Sequence, residues 1–284
     1  MTVNRKKVTK NAYRVTKVRG KTALRIRVPG GHIETKYFEL IHNIADKYGI
    51  GEAHITARQG FEIPGIDFDK IPEINKLIEP LIDSLELNFD GETDGYPAAG
   101  TRNISACIGN KVCPYANDQT TEFARRIERE VYPNDYHFKI AVTGCPNDCI
   151  KAHMQDFGII CTTEPEYDES RCISCRACVD NCKKRVTDAL SMENYNIKRD
   201  EEACIGCGEC ILKCPTGAWT RSKEKYYRMV IMGRTGKRNP RIAKPFIKWG
   251  DKESMIQIIK NTYDFVDRHI DRSLKKEHIG YIVD

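Results

Sequence analysis

At 284 residues the chain is long enough for one large or two modest domains with a proper core, and 40% hydrophobic against 30% charged residues is the balance of a soluble globular protein. The net charge is only +6, and Lys and Arg are mixed with Asp and Glu along the whole length; this argues against a nucleic-acid face, and the basic excess fits either small anions or simply a surface made soluble by both signs. No window approaches the roughly 18 apolar residues of a membrane span, and Met1–Lys21 is polar and basic without the apolar core of a signal peptide, so the expectation is a cytoplasmic protein outside any bilayer.

Leu24–Val28 alternates and runs into Pro29-Gly30-Gly31, a strand followed by a turn. Phe38, Ile41, Ala45 and Tyr48 recur at helical spacing, with Gly49 and Gly51 where such a helix stops. His54–Ile63 reads as a strand, and Ile71–Leu85, opened by Pro72, as a second helix, giving a βαβ-like opening to an α+β domain. Phe123, Ile127 and Val131 mark a third helix, and Phe138–Val142 an apolar strand. From Tyr167 to Thr220 the periodicity gives way to cysteines and turn residues. Tyr227–Met232 returns as a strand, and Asp251 stands where it can cap a last amphipathic helix carrying Met255, Ile258, Ile259, Phe265 and Val266. The cysteine-rich segment therefore reads as a module, residues 166–223, inserted into a larger α+β protein whose remaining parts are 1–90, 91–165 and 224–284.

Thirteen cysteines is a high count, and in a reducing compartment clustered cysteines are metal ligands rather than disulfides. Cys172, Cys175, Cys178 and Cys182 follow C-x2-C-x2-C-x3-C, and Cys204, Cys207, Cys210 and Cys214 repeat it before Pro215. This is the bacterial two-cluster ferredoxin pattern, in which the fourth cysteine of each run ligates the other run's cluster. One 4Fe-4S cluster would take Cys172, Cys175, Cys178 and Cys214, and the other Cys204, Cys207, Cys210 and Cys182. Zinc also accepts C-x2-C thiolates, but it does not explain a duplicated four-cysteine run. Lys183 stands where the first run would carry proline, a change that removes no ligand. Cys107 and Cys113, spaced C-x5-C, and Cys145 and Cys149, spaced C-x3-C within Gly144-Cys145-Pro146-Asn147-Asp148-Cys149, have the ligand count of a third four-iron cluster. Cys161, in the apolar run Phe157–Cys161, reads as a buried small hydrophobe.

The paired C-x5-C and GCPNDC motifs resemble the cluster site of the sirohaem-dependent sulfite and nitrite reductases. That resemblance implies the reductase fold of this family with a two-cluster ferredoxin domain inserted, and a sirohaem whose iron shares Cys149 with the cluster. His54-Ile55-Thr56-Ala57-Arg58-Gln59 resembles the family's strand bearing a substrate-facing arginine, Arg58. Arg102-Asn103 resembles the pair that contributes a second arginine, and Lys139 matches the second lysine of a Lys-x-Lys pair. His137 holds the first lysine's position, where an imidazole can supply a charge or a proton near neutral pH. Gly233-Arg234-Thr235-Gly236 and Arg241 resemble the late segment beside the cofactor, and Arg234, Lys237 and Arg241 are candidates to pair with sirohaem carboxylates. The opening Asn11–Gly20 narrows the resemblance to the anaerobic, NADH-linked branch of the family.

The implied reaction is a six-electron reduction of sulfite to sulfide, in which Arg58, Arg102 and Lys139 would neutralise the bound oxyanion. Nitrite fits the same charges, so a nitrite reductase is the alternative; a non-catalytic electron carrier with three clusters is the alternative from another class. No G-x-G-x-x-G follows a strand, so electrons must arrive from partners, for which the resemblance implies a flavin- and NAD-binding subunit and another iron–sulfur subunit. Larger relatives carry two copies of the sirohaem-binding unit and share each site between them, so a homodimer is a further expectation for a chain with one copy.

Overall fold

The computed structural model describes residues 12–86, 96, 103–132, 136–236, 239–271, 273 and 279; Asn11, Arg102 and Lys237 lie outside these. The chain divides into two compact units that interleave in sequence, the first from residues 1–106, 121–140 and 259–284, the second from 107–120 and 141–258.

The first unit opens with β1 (Tyr13–Val15), β2 (Lys21–Ile26), α1 (Lys36–Tyr48), β3 (His54–Ile55), β4 (Phe61–Asp67) and α2 (Ile71–Asp83). The strands form one antiparallel sheet in the order β1-β2-β4-β3. β3 therefore runs parallel to β2, as a βαβ reading requires, but β4 is inserted between them. The single strand expected over His54–Ile63 is broken in two because Thr56 to Gly60 close a turn. Thr56 Oγ1 accepts from the backbone N–H groups of Arg58 and Gly60, at 3.3 and 3.1 Å, and Gln59 takes a left-handed φ of 65°. Arg58 thus sits on a turn, not within a strand.

Helix α1 buries Tyr37, Ile41, Ile44, Ala45 and Tyr48. Phe38 is a correction: its position falls outside that stripe, and it lies 48% exposed with its ring edge-on to Phe61. Pro72 sits in the first turn of α2, where a missing N–H costs nothing. The sheet and both helices close over Leu24, Ile44, Ile63, Ile66, Ile71, Ile74 and Ile78, all fully buried; each such side chain contributes about 1.5–3 kcal/mol. Deep in this core the Tyr13 hydroxyl donates to Asn75 Oδ1 at 3.0 Å. Next come β5 (Ser105–Ala106) and α3 (Thr120–Val131), which buries the expected Phe123, Ile127 and Val131.

The second unit is built on β6 (Ile140–Thr143), β7 (Phe157–Thr162), β12 (Tyr226–Ile231) and β13 (Lys244–Gly250), in the order β13-β12-β7-β6. Every residue of β7 is buried, Cys161 completely, and burial pushes its thiol well above the ordinary value. β13 has no counterpart in the sequence reading. It pairs with β12 through register shifts and is half-exposed, so its residues do not alternate.

Between β7 and β12 the chain makes β8 (Pro165–Tyr167), α4 (Ala177–Arg185), β9 (Leu190–Glu193), β10 (Asn196–Arg199), α5 (Glu209–Lys213) and β11 (Trp219–Arg221). β8 pairs with β11, and β9 with β10. Residues 165–221 thus start and end on one strand pair and enclose a small core of Val179, Ala189, Leu190, Ile197 and Trp219 with Cys178, Cys182 and Cys210.

The last helix, α6 (Lys252–His269), is capped as expected: the Asp251 carboxylate accepts from Ser254 N–H at 2.7 Å. Its first residue, Lys252, places its ammonium 2.8 Å from the buried Asp118 carboxylate, which also accepts from the Tyr227 hydroxyl. Burial alone would raise the Asp118 pKa, but these two bonds outweigh it and hold the carboxyl below its usual range. A depressed folded value stabilises the protein above the unfolded value, and that stabilisation is lost as pH falls through the folded one. Asp118→Asn is therefore expected to destabilise the protein by about 1–3 kcal/mol at neutral pH. The deficit should close below about pH 4, which urea denaturation of both proteins across that range would measure.

Candidate cluster and anion-binding sites

Four of the cysteines lie on two loops of the second unit. The Cys107 N–H donates to Val142 O at 3.2 Å, fixing it beside β6, and the Cys113 N–H closes a turn on Gly109 O at 3.0 Å. Cys145 and Cys149 follow β6 on a loop that clamps itself. Asp148 takes φ 48° and Lys151 φ 60°. The Asp148 carboxylate accepts from Ala152 N–H at 2.6 Å and His153 N–H at 3.1 Å, and lies 2.7 Å from His153 Nδ1. The aspartate of the motif thus has a local task, holding the turn that presents Cys149.

The loops bring their thiols together. Burial raises the Cys145 pKa, and Cys113, Cys107 and Cys149 are near enough to raise it further. Gly144 N–H donates to Cys107 Sγ at 3.0 Å. A Cβ on Gly144 would lie 2.6 Å from the Ala116 Cβ and 3.4 Å from the Cys107 sulfur, so only glycine lets the two loops approach this closely. Cys145 is buried, Cys107 and Cys113 are half-buried, and Cys149 is exposed.

Arg234 and Arg241 face each other in an isolated antiparallel bridge, with N–H to O distances of 2.9 and 2.6 Å. The bridge is anchored to the loop after Cys149: Gly233 N–H donates to Gln155 O at 2.9 Å and Ala243 N–H to His153 O at 2.7 Å. A Cβ on Gly233 would meet His153 O at 2.5 Å, which accounts for a glycine there. Two guanidinium side chains are thereby carried on a segment tied to the chain that follows Cys149.

The two runs in 165–221 repeat in backbone as well as in sequence. Ser174 and Arg176 in the first run, and Gly206 and Gly208 in the second, all take left-handed φ, at 52°, 61°, 66° and 74°. They fall at the same two places relative to the first cysteine, so each loop winds the same way before α4 or α5 begins. Cys182, Cys204, Cys207 and Cys210, the four assigned to one cluster, all line a single cavity. The Cys207 thiol is pushed up to about 11, by burial first and then by Glu209, Cys204 and Cys182. Of the other set, Cys178 is raised by burial and feels Cys214. Burial also raises Cys214, but hydrogen bonds from Thr216, Trp219 and Ala218 more than offset it and bring its thiol down to about 7. Backbone N–H groups reach these sulfurs too, Ser174 on Cys172 at 3.4 Å and Ala218 on Cys214 at 3.2 Å. Among the described residues no three His, Cys, Asp or Glu side chains close on a single metal ion.

In the first unit, Arg58 lines a cleft of about 240 Å³ together with Arg25, Arg27, Thr56 and Asn103. Asn103 commits its amide to backbone: Nδ2 donates to Val28 O at 2.9 Å and to Arg58 O at 2.5 Å, and Oδ1 accepts from Val28 N–H at 3.1 Å. With these bonds Asn103 holds the Arg58 turn against the Val28 backbone. Gln59 works alongside it, exchanging two 2.8 Å bonds with the Ala106 backbone. His137 and Lys139 alternate with the buried Phe138 and Ile140 and stay half-exposed.

Sequence reasoning passed over Gln59, Asp148 and Asn117. The first two stand inside motifs already singled out. Asn117 carries no sequence signal, because its side-chain partners lie 44, 89 and 104 residues away.

Residues 98–284 match the model of the nitrite and sulphite reductase 4Fe-4S domain, and residues 15–81 that of the nitrite/sulfite reductase ferredoxin-like half domain. The chain belongs to the nitrite and sulfite reductase family. It is 39% identical over 280 residues to one subunit of the anaerobic sulfite reductase of Salmonella typhimurium, covering 97% of this chain and 83% of that protein. It is 34% identical over 181 residues to the coenzyme F420-dependent sulfite reductase of Methanocaldococcus jannaschii, covering 61% of this chain and 27% of that one. The crystal structure of dissimilatory sulfite reductase I superimposes with a TM-score of 0.68 at 16% identity, over 92% of this chain and 65% of that one, a likeness of fold. This member of the family is an oxidoreductase with a 4Fe-4S domain. Among the described residues no helix is long and apolar enough to cross a membrane.

Proposed function

We propose that the chain is the catalytic subunit of a cytoplasmic sulfite reductase, reducing sulfite to sulfide by six electrons at a sirohaem joined to a 4Fe-4S cluster. The observation that carries the reading is the meeting of Cys107, Cys113, Cys145 and Cys149 from two separate loops. Four thiols of this kind, served by backbone N–H groups, are the donor set of a four-iron cluster. The names of the sulfite reductase relatives favour sulfite over nitrite.

When bound, the sirohaem and its cluster supply a metal that can hold sulfur and a store of single electrons. The chain's own residues do the rest. Cys149, exposed on its clamped turn, would supply the thiolate that cluster and haem share. Arg234 and Arg241, with Lys237, pair with sirohaem carboxylates. Arg58 and Arg102 neutralise the oxyanion, Lys139 adds positive charge, and His137 delivers or holds a proton near neutral pH. Asn103 serves by holding Arg58.

In the same reading residues 166–223 are an inserted ferredoxin domain with two further 4Fe-4S clusters, set within reductase segments 1–90, 91–165 and 224–284. The repeated left-handed positions and the cavity lined by Cys182, Cys204, Cys207 and Cys210 support it. Electrons enter there from a flavin- and NAD-binding subunit through an iron–sulfur subunit, and the reductase assembles as a homodimer.

An anaerobic absorption spectrum, with iron and labile sulfide counted and turnover assayed with a reduced dye, tests this. Sirohaem bands, about twelve cluster irons beside the haem iron, and faster turnover of sulfite than of nitrite are expected. Cluster absorption without a tetrapyrrole, from a host that makes sirohaem, would leave an electron carrier as the better description. Preference for nitrite would make it a nitrite reductase.

A further inference from the structure

Asn117 is 2% exposed and makes four hydrogen bonds, all within the second unit. Its backbone N–H donates to Gly144 O at 2.7 Å, at the peptide that leads into Cys145. Its side-chain Nδ2 donates to Cys161 O at 3.3 Å and, in a longer bond of 3.5 Å, to Gly206 O, at the peptide that leads into Cys207. Its Oδ1 accepts from Arg221 Nε at 3.1 Å, which fixes which way the amide points. A single residue, through its backbone N–H at one end and its side-chain amide at the other, therefore joins the peptide beside a ligand of the four-cysteine site to the peptide beside a ligand of the second ferredoxin-type run. The second run is tied inward again by Thr163 N–H, which donates to Gly206 O at 3.0 Å.

The first run faces the other way. Ser174 Oγ donates to Tyr195 O at 2.7 Å and Arg171 donates to Thr216 O at 3.0 Å, both within the same segment. Cys175 is exposed, and Ile173 beside it is 64% exposed.

We propose that Asn117 is the bridge for electron transfer into the catalytic cluster, and that it sets the order of the clusters. The cluster of Cys172, Cys175, Cys178 and Cys214 is the outer one. It takes an electron from an external low-potential one-electron donor. The cluster of Cys204, Cys207, Cys210 and Cys182 is the inner one and passes that electron through the Gly206–Asn117–Gly144 link. Each hop oxidises one cluster by one electron and reduces the next by one, with no bond broken and no proton moved. The inference rests on the cofactor assignment proposed above.

The test uses the loaded protein and electron paramagnetic resonance after rapid mixing with reduced viologen. Asn117→Leu keeps the branched side-chain shape and removes the amide's bond to Gly206 O, leaving the backbone bond to Gly144 O. It is expected to leave the iron and sulfide content and the reduction of the outer and inner clusters unchanged, while the cluster of Cys107, Cys113, Cys145 and Cys149 is reduced about tenfold more slowly. Full cluster content with an unchanged rate overturns the bridge. Should Asn117→Leu fail to take up clusters, spin coupling in the fully reduced protein decides instead. Cys207→Ser should abolish the coupling seen at the catalytic cluster and Cys175→Ser should preserve it; the reverse, or no difference, overturns the order. Wild-type protein that carries no cluster iron would overturn the cofactor assignment itself, and iron analysis separates that result from failure of the bridge alone.

Discussion

Arg27→Met is expected to lower the stability of the protein by about 3–5 kcal/mol, the cost of leaving a buried charge without its partner. Arg27 pairs with Glu128 with side chains only 8% and 1% exposed, and its guanidinium lies 4.5 Å from the centre of the Tyr132 ring. Burial raises the Glu128 pKa against the pull of Arg27; without the arginine only the backbone hydrogen bond from Ile104 opposes burial, and the pKa rises further. A carboxyl whose folded pKa exceeds its unfolded one binds more protons when folded, so the deficit of the variant should shrink as the pH falls. Glu128→Gln placed on top of Arg27→Met should recover much of the loss at neutral pH, since it removes the stranded charge. Denaturant unfolding of the single and double variants measures both. Equal stability of wild type and Arg27→Met would mean that the pair contributes nothing to the fold.

The second large effect is catalytic. Arg58→Ala is expected to reduce sulfite turnover by about 10²–10³-fold, the usual loss when one preorganised donor to a reacting oxyanion is removed. The variant should fold, because the turn around Arg58 is held by backbone. Thr56 Oγ1 accepts from the Arg58 and Gly60 N–H groups, and Asn103 donates to the Arg58 carbonyl. Arg58→Lys keeps the charge but not the planar fork, so it should recover part of the rate. Dye-linked turnover, with circular dichroism to check the fold, gives the result. Wild-type turnover by Arg58→Ala would remove this residue from the substrate site and leave the cleft it shares with Arg25 and Arg27 without a part in the reaction.

Cysteine spacing made much of this chemistry legible in one dimension. A run such as Cys204, Cys207, Cys210 works through a loop only seven residues long, so its geometry is local, and the left-handed Gly206 and Gly208 complete it. Helices were equally plain where an apolar stripe was long, as in α3 and α6, and so was the Asp251 cap, whose bond spans three residues. Errors came where the deciding contact was remote or the stripe short. His54–Ile63 alternates well enough for one strand, yet Thr56 and Gln59 turn it into a hairpin whose second strand, β4, pairs with β2. Phe38 was apolar and near the stripe, but it falls at the stripe's margin, edge-on to Phe61 and half-exposed.

Sequence by itself determined which thiols stand at cluster-ligand spacing and which faces of the helices are apolar, because spacing and the helical repeat depend on near neighbours in the chain. Tertiary structure alone decided that the Cys107 and Cys145 loops meet, since that approach depends on Gly144 lying against Ala116 and the Cys107 sulfur. It alone gave Asn103 its hold on the Arg58 turn, and it alone gave Asn117 its place between two cysteine loops. An asparagine amide takes whichever carbonyls folding brings within about 3 Å, and partners that distant along the chain leave no pattern to read.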